Sequence, residues 1–224
     1  MSLIPDVTIW CPSVRPEFLA ELSQVALPYK VEEIPQQFGT SFSSLCNWAI
    51  WNTKSKYVII CNDKARPKPA DFEKMLNLLE SDFGFVGLYR FGFFGLRSAL
   101  GRELGGFDER FVDGGYEDVD MLIKLKQSDV KVFMSEEIDY VDNITSTWNQ
   151  KLSAEFFNKK YQFDVVNKVI IQQLPHENNL LASKKKSSNG NGFRGSELCL
   201  IPFIHKTNNF SKVLMEFNTK FIGD

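Results

Sequence analysis

LGGFDERFVDGGYEDVDMLIKLK, Leu104–Lys126, holds a glycine pair, an aromatic and acidic run, a second glycine pair, and then Glu117-Asp118 opening an amphipathic helix. From Tyr116 onward Val119, Leu122 and Ile123 recur at helical spacing, and Met121 and Leu125 widen the apolar face. Asp118 therefore falls in the first turn of a helix, where the helix dipole favours an anion. Gly114 and Gly115 remove side-chain bulk just before it and permit positive φ, so a ligand can approach the backbone. Asp113, Glu117, Asp118 and Asp120 concentrate more carboxylate here than a solvated helix start needs.

Around this stretch the chain has 224 residues, 43% of them hydrophobic, which is material for one sizeable α/β domain with an appendage. A formal net charge of −2 argues against a nucleic-acid binder, which would carry a basic surplus. Twenty Phe and four Trp supply ample core and stacking surface. Cys11, Cys46, Cys61 and Cys199 are widely spaced, form no CxxC, and read as buried free thiols rather than disulfides or zinc ligands. With no signal-like segment ahead of the first strand and no apolar run near the roughly 18 residues a membrane span requires, the expectation is a cytoplasmic protein, peripheral to a membrane at most.

Taken in order, Val7–Cys11 is a continuous apolar run of the buried parallel-strand kind, followed by a proline-bearing loop and a helix with Phe18, Leu19 and Leu22 inward. Lys30–Ile34 reads as a second strand, with Glu32 or Glu33 as a candidate partner for a base or ribose. Ser41–Thr53 is a helix capped by Ser41 or Ser43. It has one face of Phe42, Leu45, Cys46, Ala49 and Ile50 and another of Ser44, Asn47, Trp48 and Trp51, so it should be covered on both sides. Tyr57–Cys61 is a strand running straight into Asn62-Asp63-Lys64, and ligands of open α/β sheets bind beyond the carboxyl ends of strands. Pro67 and Pro69 lead into a helix with Phe72, Met75, Leu76 and Leu79 inward. Gly84–Leu88 is a further strand. Arg90, just before Phe91–Leu100, and Arg97 within it either come near a phosphate or are exposed arginines of a strand and turn, and Val130–Met134 and Ile138–Val141 are the last strands of this region. From Pro175 the character changes. Residues 184–195 are linker-like, and Phe210, Val213, Leu214, Phe217 and Phe221 describe a terminal amphipathic helix suited to packing on the domain or on a second copy of the chain. His176 and His205 are isolated and take no role.

Gly-Gly-Phe-Asp-Glu, a spacer, glycine, and Glu-Asp-x-Asp before an apolar helix resembles the acceptor segment of inverting glycosyltransferases of family 2 type with the GT-A fold. The resemblance spans roughly residues 6–163 and implies a three-layer α/β sandwich with a mixed, mostly parallel sheet. The catalytic domain would cover 1–165 and a C-terminal extension 166–224. It implies Asp118 as the base, Glu117 orienting the acceptor, and Gly114, Gly115 and Tyr116 lining the acceptor pocket. It places Pro12, Ser13 and Arg15 in the loop that touches the nucleotide, with Glu33, Asn47 and Arg97 as further donor contacts and Lys159 and Lys160 as phosphate contacts. Asn62-Asp63-Lys64 resembles the DxD segment, whose last Asp holds a divalent cation in the family. Here lysine occupies that position, and Asp142 lies where the family often completes the metal site with histidine. Mn²⁺ or Mg²⁺ held by Asp63 and Asp142 is thus disfavoured by Lys64, which itself faces a phosphate as a point charge.

Neither GxGxxG nor a phosphate-binding GKS/GKT loop occurs, and no nucleophile elbow is present. The function expected is transfer of a sugar from a nucleoside-diphosphate donor, UDP type, to a glycan or other hydroxyl acceptor. The alternatives are a non-catalytic nucleotide-sugar-binding relative, a nucleotidyltransferase lacking its usual signature after the first strand, and a scaffolding subunit assembling through the C-terminal helix.

Overall fold

The computed structural model describes residues 6–12, 15–34, 41–111, 115–141, 151–161, 163–164 and 169–170. In chain order the elements are β1 (Val7–Cys11), α1 (Pro16–Val25), β2 (Lys30–Glu33), α2 (Phe42–Asn52), β3 (Tyr57–Cys61), β4 (Ala65–Arg66), α3 (Pro69–Ser81), β5 (Phe85–Tyr89), β6 (Phe93–Arg97), α4 (Ser98–Glu103), α5 (Glu117–Gln127), β7 (Val132–Met134), β8 (Asp139–Tyr140), α6 (Lys151–Lys160), β9 (Phe163–Asp164) and β10 (Val169–Ile170). The main sheet has six strands in the order β2-β1-β3-β6-β5-β7. β1 pairs in parallel with β2 and β3, and β5 with β7, while β6 runs antiparallel to both of its neighbours. The sheet is therefore mixed and mostly parallel, as the sequence resemblance implies.

Strand alternation sorts side chains into two cores. Along β3, Tyr57, Ile59 and Cys61 face α1 and α3, where Phe18, Leu22, Phe72, Met75 and Leu79 are buried. Val58 and Ile60 face the opposite layer, against Cys46, Ala49 and Ile50 of α2 and Met121, Leu122 and Leu125 of α5. These two helical layers on one sheet make the three-layer sandwich. Helix α2 begins where Ser41 and Ser44 cap each other, the Ser44 amide donating to Ser41 Oγ at 3.2 Å and the Ser41 amide to Ser44 Oγ at 3.3 Å. The two-faced pattern is met in part: Cys46, Ala49 and Ile50 are buried on one face and Ser44 and Asn47 on the other, while Phe42, Leu45, Trp48 and Trp51 are half-buried. Cys11, Cys46 and Cys61 are buried free thiols.

A small ribbon lies outside the sheet. β4 pairs antiparallel with β8, and the Val141 amide donates to the Lys64 carbonyl at 2.9 Å. Another ribbon, β9 with β10, crosses the division expected at 165/166. The linker-like segment 184–195 and the terminal amphipathic helix lie outside the described residues.

Gly87 shows how tightly the β5–β6 pairing is built. The pairing shifts register between Gly87 and Tyr89, and a Cβ on Gly87 would lie 2.6 Å from the Arg90 carbonyl oxygen. That neighbour is backbone, so relief requires re-forming the bulge. Gly87→Ala is expected to cost about 1–3 kcal/mol, read as a lower urea midpoint at constant slope.

Candidate active site

The carboxyl ends of β2, β1, β3, β5 and β7 form one edge of the sheet, and most of the expected site residues meet there. Glu33 ends β2, exposed, and Pro12 follows β1. Arg15, one residue before α1, reaches across to the turn after β3. Its Nε donates to Asp63 Oδ2 at 3.0 Å and its Nη2 to the Asp63 carbonyl at 2.7 Å. Arg66 Nη1 donates to the same carbonyl at 2.8 Å. The turn closes on itself through Asn62, whose Oδ1 accepts from the Lys64 amide at 3.0 Å and the Ala65 amide at 3.3 Å. The Lys64 side chain is partly exposed and has no ion-pair partner among the described residues. Asp63 is thus tied to a guanidinium, and the turn carries a surplus of positive charge.

Farther along the same edge the Asn62 amide donates to the Gly92 carbonyl at 2.8 Å, which joins the turn to the β5–β6 corner and Arg90. Arg90 sits at φ 47 and pairs with Glu136 just beyond β7. Because β7 follows α5 after a short turn and runs back along the sheet, the first turn of α5 sits at this edge too. Gly115 at φ 82 and Tyr116 at φ 69 are both in the left-handed region, rare for tyrosine, and they swing the chain into the helix. Asp118 Oδ1 accepts from the Val119 amide at 2.8 Å. Burial pushes the Asp118 carboxyl up to about 6, against the pull of the Val119 amide, its own amide and the Arg90 charge. A carboxylate poised near neutrality at a helix start suits proton abstraction. The Tyr116 phenol is raised by burial and by the Asp118 charge, so it lies beside that carboxylate.

Several expected contacts fall elsewhere. Glu117 is only 3% exposed, and after burial its charge is what raises the Cys46 thiol, so its carboxylate faces α2 rather than an acceptor. Asn47 is fully buried and its amide is committed to the chain: Nδ2 donates to the Phe107 carbonyl at 2.8 Å and to Glu109 Oε1 at 2.7 Å, and Oδ1 accepts from the Phe107 amide at 2.7 Å. It is a clamp for the first glycine pair, not a donor contact. A Cβ on Gly106, at φ +69, would lie 2.2 Å from Asn47 Oδ1, which is why glycine is needed there. Arg97 pairs with Tyr57, at the start of β3, whereas Phe93 pairs with Cys61 at its end. Arg97 therefore lies on the opposite edge of the sheet from Asn62-Asp63-Lys64, and Arg90 is the arginine this segment brings to the site. Lys159 is exposed. Ser13, Asp113, Gly114 and Asp142 lie outside the described residues.

Lys160, expected as a phosphate contact, is fully buried. Its Nζ donates to Asp108 Oδ2 at 2.7 Å and pairs with Asp120 Oδ1, which also accepts from the Tyr161 hydroxyl at 2.5 Å. Lys124 lies 3.5 Å from Asp120 Oδ2 and donates to the Gly106 carbonyl at 2.5 Å. Arg110 Nη2 and Nε donate to the two Asp108 oxygens at 2.7 and 2.9 Å. Burial pushes the Asp108 carboxyl up, but the Arg110 hydrogen bonds and the Lys160 charge outweigh it and hold it far below the usual carboxylate range. Burial pulls Lys124 down to about 8, against the opposing charge of Asp120. Sequence pattern counted Asp120 with the acidic cluster and Lys160 with a basic helix face. Their pairing across 40 residues leaves no local signal.

The family resemblance implies a divalent cation at the turn after β3, and the described residues there do not offer a donor set that fits one. Asp63 is held by Arg15, Lys64 occupies the next position, and Arg66 closes on the Asp63 carbonyl. Among the described residues no group of three His, Cys, Asp or Glu converges as a metal site.

No protein-family model matches the sequence, and no curated protein sequence matches it. Among solved structures the chain is similar to a mannosyltransferase, PcManGT from Pyrobaculum calidifontis, in complex with GDP-Man and Mn²⁺, with a TM-score of 0.50 and 12% identity over 71% of this chain. The match covers 62% of that enzyme, so this chain spans less than two thirds of its length. Two structures of Drosophila beta-1,4-galactosyltransferase 7 are also similar. One is a mutant with manganese, UDP-Gal and xylobiose, the other the catalytic domain with xylobiose; both have TM-scores of 0.44 over 66% of this chain and 72% of theirs, at 12% and 14% identity. The fold is that of GT-A glycosyltransferases.

Removing the ammonium that bridges Asp108 and Asp120 leaves two buried carboxylates short of a cation. Lys160→Met is expected to cost about 3–5 kcal/mol in urea unfolding near pH 7. Asp108 is held ionised below its unfolded pKa, so its stabilisation is present above about pH 4 and lost as pH falls. The gap between wild type and variant should therefore narrow on acidification. A stability within about 0.5 kcal/mol of wild type at pH 7 would return Lys160 to the surface role.

Proposed function

We propose that this protein is a glycosyltransferase that moves a sugar from a nucleoside-diphosphate donor of UDP type to a hydroxyl of a glycan or other acceptor, with inversion at the anomeric carbon. The reading is carried by Asp118: a carboxyl brought to about 6 by burial, in the first turn of α5, at the sheet edge that also holds the cationic turn Asn62-Asp63-Lys64. Asp118 takes the proton from the acceptor hydroxyl as its oxygen bonds to the anomeric carbon. The bond from that carbon to the diphosphate breaks, and its electron pair leaves with the nucleoside diphosphate. Gly114, Gly115 and Tyr116 shape the acceptor side, and Glu117 braces α5 from behind. Pro12, Ser13, Arg15 and Glu33 hold the nucleoside, and Asn62 and Asp63 fix the turn that presents Lys64.

The departing diphosphate needs positive charge. Lys64 supplies it, with Arg15 and Arg66 beside it. An ammonium about 4 Å from a phosphate oxygen contributes roughly 4 kcal/mol per unit charge at an effective dielectric near 20, before desolvation. The mannosyltransferase of similar fold was captured with GDP-Man and Mn²⁺, which makes guanosine donors worth screening beside uridine ones.

Screening nucleotide sugars by thermal shift and coupled release of nucleoside diphosphate comes first, and binding without turnover would favour a non-catalytic relative. In the active protein Asp118→Asn should lower kcat by about 10²–10⁴ with donor affinity kept. Since the base acts ionised, kcat/KM should rise with pH through about 6. The same shift has a stability sign: the folded state holds its proton more tightly than the unfolded chain, so ionising Asp118 weakens the fold between about pH 4 and 6. Asp118→Asn should consequently melt higher than wild type at pH 8 and equally at pH 4. Near-normal turnover in this variant would move the base to Asp113.

Transfer is expected to survive EDTA, and Lys64→Ala to bind the nucleoside diphosphate about tenfold or more weakly, as loss of a close charge contact would give. Activity abolished by EDTA and restored by Mn²⁺ would instead assign Asp63 and Asp142 to a cation.

A further inference from the structure

One exposed aromatic stack at the site edge has no part in the chemistry above. Tyr140 in β8 keeps 50% of its surface exposed, large for a tyrosine on an ordered strand, and stacks on Tyr89 at a centroid separation of 5.0 Å with 22° between the planes. Each ring is fixed next to a group of the site. Tyr140 pairs with Ala65, and the following residue donates its amide to the Lys64 carbonyl. Tyr89 immediately precedes Arg90, whose charge reaches Asp118. The segment carrying Tyr140 is tied down along its length: Ser135 to the Gly87 carbonyl at 2.8 Å, Glu136 to Arg90, Glu137 to Lys74, and Asp139 to Lys68 at 3.2 Å. Nothing in these bonds requires an aromatic ring at 140.

Strand order says what passes this spot. Along the edge, Glu33, Pro12 and Arg15 come first, then Asn62-Asp63-Lys64, then the β5 and β7 ends with Arg90 and Asp118. A donor laid along it with its nucleoside at β2 and β1 and its diphosphate at Lys64 brings its sugar to the Tyr89–Tyr140 stack. We propose that Tyr140, backed by Tyr89, is a stacking platform for the pyranose ring of the donor, taking the apolar face of the sugar and so contributing to sugar specificity. This assignment rests on the glycosyltransferase reading. A pyranose presents C–H bonds on one face, and a rigid tyrosine offers large, preorganised contact area to them at low conformational cost.

The test is calorimetry on the full chain with UDP, GDP, UDP-glucose, UDP-galactose and GDP-mannose, comparing wild type with Tyr140→Ala, Tyr140→Phe and Tyr140→Trp. An exposed side chain can be replaced without loss of fold, which circular dichroism of each variant verifies. For whichever nucleotide sugars bind wild type, Tyr140→Ala should weaken binding about 3- to 10-fold, the scale of one aromatic contact, while the matching nucleoside diphosphate changes less than about twofold. Phe and Trp should both restore it, because the contact needs a ring and not the hydroxyl. Equal weakening of nucleotide sugar and nucleoside diphosphate would place Tyr140 on the nucleotide and overturn the platform, as would unchanged binding in Tyr140→Ala. Absence of any nucleotide binding in the wild type would overturn the glycosyltransferase reading and the platform with it.

Discussion

Lys160 sets an ammonium between Asp108 and Asp120, and none of the three side chains is exposed. Charges this deep survive only when each is met by others, since the desolvation of a lone buried ion costs several kcal/mol. Arg110, Lys124 and Tyr161 complete the set. The result ties together the segment after α4, the helix α5 and the helix α6. Lys124 adds a bond to the Gly106 carbonyl, and Asn47 from α2 holds the Phe107 backbone from the other side. Asp118 stands two residues before Asp120 on the same helix, so the position of the proposed base depends on this network although it takes no part in it.

The edge of the sheet shows a different electrostatic arrangement. After β3 the positive charge at the turn comes from the chain: Lys64 in the turn, Arg15 from just before α1 and Arg66 from β4. Asp63 is paired with Arg15, and its carbonyl accepts from both Arg15 and Arg66. Of the three non-glycine positive-φ residues among those described, two lie at the same edge and the third, Asp129, follows α5. Arg90 and Tyr116 adopt positive φ without being glycine, and each abuts Asp118 or its surroundings. Such backbone persists only where neighbouring structure over-determines it, and the Glu136 pair and the Phe157 ring, 5.2 Å from that of Tyr116, do so.

Local sequence determined the elements. Continuous apolar runs dictate β1 and β3 to the residue, serine capping and a two-faced apolar pattern dictate α2, and Glu117-Asp118 before Val119 dictates where α5 begins, because burial periodicity and capping are properties of neighbours in the chain. The order of motifs also implied the mixed sheet and the edge at which Asn62-Asp63-Lys64 meets Arg15. Tertiary structure alone decided what each polar group does. Asn47 and Lys160 look like ligand contacts in one dimension and are buried clamps in three, and Arg97 gives way to Arg90 because β6 runs antiparallel and carries its last residue to the far edge. The pairing of Tyr89 with Tyr140, like that of Lys160 with Asp108 and Asp120, joins residues with no local relation. Ion pairing and ring stacking depend on distance in space, which no spacing in the sequence encodes.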